Sequence, residues 1–179
     1  MGRLEALLRR CRAGDREALE EVIRRWERQV FYYVRPLVTD EADAWDVLQQ
    51  TWGRVIRGIG RLKDAEKLVP WIYTVARHAA LSHRASVLAR ERWVDRDASV
   101  EELAGVDKRE ADWTAEEVHL GLANLPAHQR EALTLFFLED LSIEQMADVL
   151  GVAQGTVKSR LFYAKKALRE SLEKTRSRS

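Results

Sequence analysis

One stretch near the C-terminal end constrains the fold more than any other: residues 141–172, LSIEQMADVLGVAQGTVKSRLFYAKKALRESL. Its first part predicts a helix, because Ser142 and Gln145 have the spacing of a capping box and apolar residues recur at helical intervals over the next two turns. Gly151 is predicted to end that helix in a left-handed conformation. A second helix is predicted from about Thr156. Two helices joined by so short a turn form a helix-turn-helix, whose second helix can enter a DNA major groove.

The second helix of this unit combines basic and aromatic residues on one predicted face. At 100° per residue, the stripe of Val157, Leu161, Ala164 and Leu168 faces the core. The opposite face and its flanks then carry Ser159, Phe162, Tyr163, Lys166, Lys158, Arg160 and Lys165. A solvated terminal helix can also end in basic residues, which suit its macrodipole. That interpretation does not explain two aromatic rings opposite the core stripe.

The composition excludes several classes of protein. The chain has 30 basic and 29 acidic residues, a net charge of +1, so any nucleic-acid surface must come from uneven distribution of charge. Cys11 is the single cysteine, which excludes a disulfide framework and a cysteine-based metal site. His78 and His83 are five residues apart, do not share a helix face and have no carboxylate pair to complete a ligand set. We therefore expect no metal, no cofactor and no catalytic residues.

Targeting signals are also missing from the pattern. No apolar run approaches the length of a membrane span, and the N-terminal MGRLEALLRRCRAG is too charged for a signal peptide. We therefore expect a cytoplasmic protein without membrane insertion.

The chain as a whole predicts an all-α fold of two small helical domains joined by a flexible acidic linker. Three prolines, nine glycines and few β-branched runs leave little room for strands. Asp15 is predicted to cap the second helix and Pro70 to lie in the first turn of the fourth. Apolar spacing becomes irregular and acidic residues accumulate after Ser86. The predicted boundaries are 1–87 for the first domain, 88–113 for the linker and 114–179 for the second domain.

Two helices of the first domain carry residues that the predicted core does not use. In the third helix, DEADAWDVLQQTWGRVIRG, a core side of Trp45, Leu48, Trp52, Val55 and Ile59 leaves a polar outer stripe, which surface helices ordinarily have. In the fourth, PWIYTVARHAALSHR, aromatic rings alternate with arginines, and Tyr73, Arg77 and Arg84 are predicted on the outer face. Such a face suits stacked, unpaired bases, but a tryptophan-anchored core helix with solubilising arginines fits the pattern equally well.

These motifs together resemble a known family. Leu125, Pro126 and Arg130, followed by the string GTVKSRL at residues 155–161, resemble region 4 of extracytoplasmic-function (ECF) sigma factors of the sigma-70 family. DVLQQTW at residues 46–52 resembles the family's region 2, and the fourth helix resembles its promoter-melting helix. The resemblance spans nearly the whole chain, with both regions in the family's order.

The resemblance implies a dissociable initiation subunit of bacterial RNA polymerase, with no chemistry of its own. Region 4 docks on the flap of the core enzyme and reads the −35 element, here through Thr156, Lys158, Ser159, Arg160, Phe162, Tyr163, Lys165 and Lys166. Region 2 binds the clamp coiled coil, here through Asp43, Asp46, Gln49, Gln50 and Arg57. It also reads and melts the −10 element, here through Arg61, Lys63, Trp71, Tyr73, Arg77, His78 and Arg84. The implied partners are core polymerase, promoter DNA and an anti-sigma factor or other regulator.

Two alternatives compete with this prediction. A stand-alone helix-turn-helix regulator of duplex DNA would account for the second domain but not for the third and fourth helices. An adaptor that binds polymerase without a promoter would leave the basic helix without a role.

Overall fold

The computed structural model describes residues 2–91, 122, 125–137 and 140–176. Every regular element in these ranges is helical, and the chain divides into two compact units. The all-α class and the two-domain organisation are therefore confirmed. Most of the predicted acidic linker, 88–113, lies outside the described residues, although its first four positions continue a helix to residue 91. The domain boundaries stay predictions.

Four helices form the N-terminal unit. Their bounds are α1 Arg3–Arg12, α2 Arg16–Val34, α3 Glu41–Gly58 and α4 Leu68–Glu91, with short 3-10 turns at Arg35–Leu37, Ile59–Arg61 and Ala65–Lys67. Two aspartates start helices: Asp15 Oδ1 accepts the Ala18 N–H at 3.1 Å, and Asp40 Oδ1 accepts the Asp43 N–H at 2.8 Å. Each bond satisfies a backbone donor that the first helical turn leaves unpaired. The predicted Asp15 cap is confirmed.

The core of this unit lies between α2, α3 and α4. Val22, Val30, Leu48, Val55 and Ile72 are all fully or almost fully buried. The pairing of α3 with α4 dominates the packing, and α2 covers both helices. The N-terminal unit thus forms a bundle in which α3 keeps one long face free of the other helices.

Two predictions of side-chain placement in this bundle are wrong. Tyr73 was expected on the outer face of α4, but it is 0% exposed and its ring packs edge-on against Tyr33 of α2 at 5.0 Å. Trp45 was expected in the core, but it is 51% exposed and stacks on Phe31 at 4.5 Å. Both errors have one cause: α2 covers the Tyr73 side of α4 and lies beside the start of α3, which periodicity within a single helix does not reveal.

The C-terminal unit contains the helix-turn-helix. Its described helices are α5 Ala127–Phe137, α6 Ile143–Leu150 and α7 Gln154–Arg176. The capping box is present, since the Ser142 N–H donates to Gln145 Oε1 at 2.9 Å and the Gln145 N–H donates to Ser142 Oγ at 3.2 Å. Gly151 has φ +66°, the left-handed conformation that ends α6. The capping box and the glycine stop are confirmed, and α7 begins two residues before the predicted start.

Helix α5 is the central support of this unit. Five consecutive residues, 131–135, are buried, and α5 packs along α7. Arg130 Nη2 donates to the Leu125 carbonyl at 3.0 Å, which ties the start of α5 to the preceding turn, and burial lowers the pKa of its guanidinium. Phe137 is 58% exposed. It is the last residue of α5, where the packed part of the helix ends.

Among the described residues, no helix is both long enough and apolar enough to span a lipid bilayer.

Candidate nucleic-acid and protein interfaces

The outward face of α7 presents two aromatic rings to solvent. Phe162 is 51% exposed and Tyr163 is 46% exposed, and the two rings meet edge-on with centroids 5.4 Å apart. Thr156, Lys158 and Ser159 are exposed on the same half of the helix, and Arg160 is half-buried beside them. Val157, Leu161 and Ala164 are buried on the opposite side, as predicted. The first three turns of α7 therefore display a mixed basic and aromatic surface.

The charge on this surface is uncompensated along the helix itself. From Gln154 to Arg169 the sequence contains no acidic residue, whereas the last turns contain Glu170 and Glu173. Those two carboxylates lie near basic residues one turn earlier: Arg169 Nε is 3.1 Å from Glu173, and Lys166 Nζ is 4.0 Å from Glu170. The N-terminal half of α7 thus carries basic residues and no acidic residue, and it is the half that a recognition helix inserts into the groove.

Two lysines predicted to contact DNA, Lys166 and Lys165, contact other side chains of the protein in the structure. Lys166, expected on the exposed face, is only 9% exposed, with its stem packed inward and its ammonium facing Glu170. Helix α7 has 23 residues and does not keep one buried stripe along its whole length. The exposure assigned from the apolar stripe of its first turns is therefore wrong at Lys166. Lys165 is exposed, but its Nζ lies 4.4 Å from the Phe136 ring centroid and 5.4 Å from that of Phe137. These distances are in the range of cation–π contacts.

The polar stripe of α3 is accessible over most of its length. Asp46, Gln49, Gln50 and Arg57 are exposed on this helix, as predicted. Asp43 is half-buried instead, and its Oδ1 lies 2.8 Å from Nε2 of His83 on α4. The two side chains are 23% and 15% exposed, so this hydrogen bond is largely screened from water. Asp43 therefore connects two helices, while the other four residues face outward.

The residues predicted to contact the −10 strand lie on α4 and on the turn before it. Arg61, Lys63, His78 and Arg84 are exposed, and Trp71 and Arg77 are half-buried. Trp71 and His78 are seven residues apart, which places them on one side of α4 two turns from each other. Arg77 and Arg84 have the same spacing on another side. Because Tyr73 is in the core, it does not belong to this surface.

Helix α1 supports the turn that carries two of these basic residues. It packs against two of the three short 3-10 turns, Ile59–Arg61 and Ala65–Lys67. An open cleft of about 490 Å³ remains between the N-terminal end of α1 and this segment, with Glu5, Lys63 and Glu66 among its lining residues. The sequence pattern of α1 does not predict this role, because a short helix rich in leucine and arginine indicates only a buried face.

The sequence pattern indicates His83 only as a candidate metal ligand and does not predict its role in the structure. Its actual partner, Asp43, is 40 positions away, and no local pattern links the two. Among the described residues, no group of three or more histidine, cysteine or carboxylate side chains could hold a metal ion.

These features define a class. An all-α chain whose helix-turn-helix exposes a basic and aromatic second helix belongs among the helix-turn-helix DNA-binding proteins. Two family models match the chain: Sigma-70 region 2 over residues 22–91 and Sigma-70, region 4 over residues 115–168.

Known relatives match over most of their length. The RNA polymerase sigma-H factor of Pseudomonas aeruginosa is 28% identical, covering 94% of this chain and 93% of its own length. The ECF RNA polymerase sigma factor SigC of Mycobacterium tuberculosis is 34% identical, covering 87% of this chain and 83% of its own length. The chain belongs to the ECF sigma factors of the sigma-70 family.

A solved structure has the same fold. The sigma factor RpoE, in its complex with the anti-sigma factor NepR from Bartonella quintana, aligns with a TM-score of 0.64 and 23% identity, covering 86% of this chain and 96% of that chain. The region 2 match also favours a sigma factor over a stand-alone helix-turn-helix regulator, for which residues 22–91 would have no explanation.

Proposed function

We propose that this sigma factor directs promoter-specific transcription initiation through three separate surfaces, one for each part of its task. The observation that carries the proposal is the outward face of α7, where two exposed aromatic rings lie among basic residues with no acidic residue before Glu170. A surface of this composition suits a major groove, because phosphates attract the cations and thymine methyl groups pack against apolar side chains.

The −35 surface consists of Thr156, Lys158, Ser159, Arg160, Phe162 and Tyr163, with Lys165 at its edge. Lys158 and Arg160 bind phosphates and fix the register of the helix on the duplex. Phe162 and Tyr163 approach base edges. The Ser159 hydroxyl donates to the Gly155 carbonyl at 3.1 Å, so it offers the bases an acceptor. Lys166 is excluded from this surface because it is buried.

The −10 surface consists of Arg61, Lys63, Trp71, Arg77, His78 and Arg84. Unpaired bases stack on aromatic rings and their phosphates bind basic residues, which is the mixture that this side of the N-terminal unit presents. Unstacking a base costs a few kcal/mol, and contacts with Trp71 and the neighbouring cations offset that cost. Tyr73 acts here only as a core residue beneath the surface.

The surface for core polymerase is the exposed stripe Asp46, Gln49, Gln50 and Arg57 of α3, which binds the clamp coiled coil, while the C-terminal unit docks on the flap. Asp43 contributes by holding α3 to α4 through His83. The protein acts in the cytoplasm, where its polymerase is, and has no catalytic activity of its own.

A regulator that binds this protein completes the proposal. The similar RpoE structure is a complex with an anti-sigma factor, which supports sequestration as the mode of control. Co-purification of tagged protein from its host, followed by mass spectrometry, tests this part. Recovery of polymerase subunits alone would contradict it.

Run-off transcription tests the whole proposal. Bacterial core polymerase is incubated with a library of genomic upstream fragments, with and without the purified protein. We expect protein-dependent transcripts that share one −35 and one −10 sequence. Binding to core without any transcript would indicate an adaptor or inhibitor, and binding to duplex DNA without core binding would indicate a stand-alone regulator.

A further inference from the structure

We infer that Gly58 is a positioning residue, which fixes the indole of Trp71 by leaving room for it at the end of α3. A Cβ atom built on Gly58 would lie 2.8 Å from Cζ2 and 3.1 Å from Cη2 of Trp71. Carbon atoms in contact are ordinarily about 3.5–4.0 Å apart. The benzo ring of the indole therefore occupies the space that any other side chain at position 58 would fill.

The contact explains why glycine stands at this position. Gly58 has φ −101° and ψ −24°, a conformation that residues other than proline adopt without strain, so backbone freedom does not require glycine. In a helical position of this kind, alanine ordinarily stabilises the folded state relative to glycine. The close approach of the indole is the feature of the surroundings that favours glycine.

The indole of Trp71 lies where α3 ends and α4 begins. Gly58 is the last residue of α3, and Trp71 lies in the first turn of α4. The contact thus closes the segment between them, which carries Arg61 and Lys63. Trp71 is half-buried, so part of its surface remains accessible while the benzo ring lies against Gly58.

This inference rests on the proposed function, in which Trp71 stacks on the unpaired −10 strand. A base stack depends on the plane and position of the aromatic ring, and tryptophan has only two side-chain torsions with which to adapt. A ring displaced by a methyl group against its benzo edge cannot keep both its plane and its position. Gly58 acts on DNA through Trp71, without touching the DNA itself.

The chain offers a matched control. Gly53 also lies in α3, but a Cβ there would meet only the guanidinium of Arg57, at 3.6 and 3.8 Å, which is ordinary contact with a flexible group. Gly58→Ala and Gly53→Ala therefore make the same chemical change in the same helix, and only the first displaces an aromatic ring.

The experiment compares these variants as reconstituted holoenzymes. The probes are a DNA fragment with an unpaired −10 region and a fully paired −35 fragment, both from a promoter found by run-off transcription. We expect Gly58→Ala to weaken binding to the unpaired fragment by about 5- to 150-fold, the range that follows from loss of one aromatic stack on a base. Binding to the paired fragment and to core polymerase changes by less than about twofold, and Gly53→Ala leaves all three affinities within that margin.

A second pair of variants tests the route through the indole. Phenylalanine keeps an aromatic ring but is too short to reach the space above position 58. In the Trp71→Phe background, Gly58→Ala is therefore expected to have less than about a twofold effect on the unpaired fragment. An equal loss in both backgrounds would overturn the inference, because the effect would then bypass the ring.

A measurement without DNA separates this inference from the proposed function. In protein labelled with fluorotryptophan, the resonance absent from Trp71→Phe identifies Trp71. We expect Gly58→Ala to shift that resonance and Gly53→Ala to leave it in place.

If the wild-type protein shows no preference for unpaired DNA, the proposed −10 surface is wrong, whether or not the resonance shifts. If the preference is present but the resonance and the affinity of Gly58→Ala match those of Gly53→Ala, only the role of Gly58 is wrong.

Discussion

Lys158 and Lys166 provide a direct test of the proposed −35 surface. Both are lysines of α7, eight residues apart, and the sequence predicts that both contact DNA. Lys158 is exposed in the acid-free half of the helix, whereas Lys166 is 9% exposed and faces Glu170. Replacing each with methionine removes one positive charge and keeps an unbranched stem of similar length. The two substitutions differ only in where the charge was.

The expected magnitude follows from counterion release. A lysine that neutralises one phosphate contributes about 0.9 to the slope of log K against log salt for duplex DNA. Lys158→Met is therefore expected to reduce that slope by about 0.9, and to weaken binding about eightfold at 0.1 M salt but only about fourfold at 0.2 M. Lys166→Met is expected to leave the slope unchanged, because its ammonium is buried beside a carboxylate.

The assay is fluorescence anisotropy of a labelled −35 duplex, titrated with each protein at four or more salt concentrations. Circular dichroism confirms that both variants retain their helices. Equal slopes for wild type and Lys158→Met would remove Lys158 from the interface. A reduced slope for Lys166→Met alone would reverse the assignment and show that burial in the free protein does not exclude a lysine from DNA contact.

Three further outcomes follow from the same structure. Asp46→Arg is expected to weaken core-polymerase binding in a pull-down titration while changing the unfolding free energy by no more than about 0.5 kcal/mol, since Asp46 is exposed; early unfolding would make the stripe structural. Ser142→Ala removes one half of the capping box and is expected to lower the unfolding free energy, measured with urea, by about 1 kcal/mol. An unchanged urea concentration at the unfolding midpoint would refute that. The hydrogen bond from Arg10 holds the pKa of Asp15 below its ordinary value, so its stabilisation is present at neutral pH and is lost as pH falls through the lowered pKa. As the pH falls below about 4, the unfolding free energy of Asp15→Asn should therefore decrease less than that of the wild type. Curves of unfolding free energy against pH that run parallel for the two proteins would contradict this.

Much of the fold was predictable because its signals are local. A capping box needs two residues three positions apart, and the stop at Gly151 needs one residue that tolerates a positive φ. The Asp15 cap is equally short-range. Each of these was confirmed by a hydrogen bond or a torsion angle within five residues of the signal. Helix existence and order follow from such signals together with apolar periodicity.

The candidate site was less predictable because it depends on contacts between helices. Tyr73 shares a helical face with Arg77 and Arg84, and periodicity alone assigns all three the same exposure. The ring of Tyr33 on α2 covers Tyr73, and Arg84 lies three turns farther along, where the face is open. Trp45 is exposed for the converse reason, since its ring stacks on Phe31 at the edge of the bundle. Tertiary neighbours, not intrinsic pattern, decide which residues of an amphipathic helix remain available for a partner.

The same kind of contact links the two proposed surfaces of the N-terminal unit. Asp43, near the start of α3, is hydrogen-bonded to His83 on α4, and Gly58, at the end of α3, lies against Trp71 at the start of α4. The two helices are therefore antiparallel and joined at points about 22 Å apart along α3, given a rise of 1.5 Å per residue. Two attachments at that distance prevent α4 from pivoting on α3 at either end. In the proposed function, α3 carries the stripe that binds the clamp and α4 carries Trp71 and the arginines. We therefore expect binding of α3 to the clamp to set where the proposed −10 surface meets DNA.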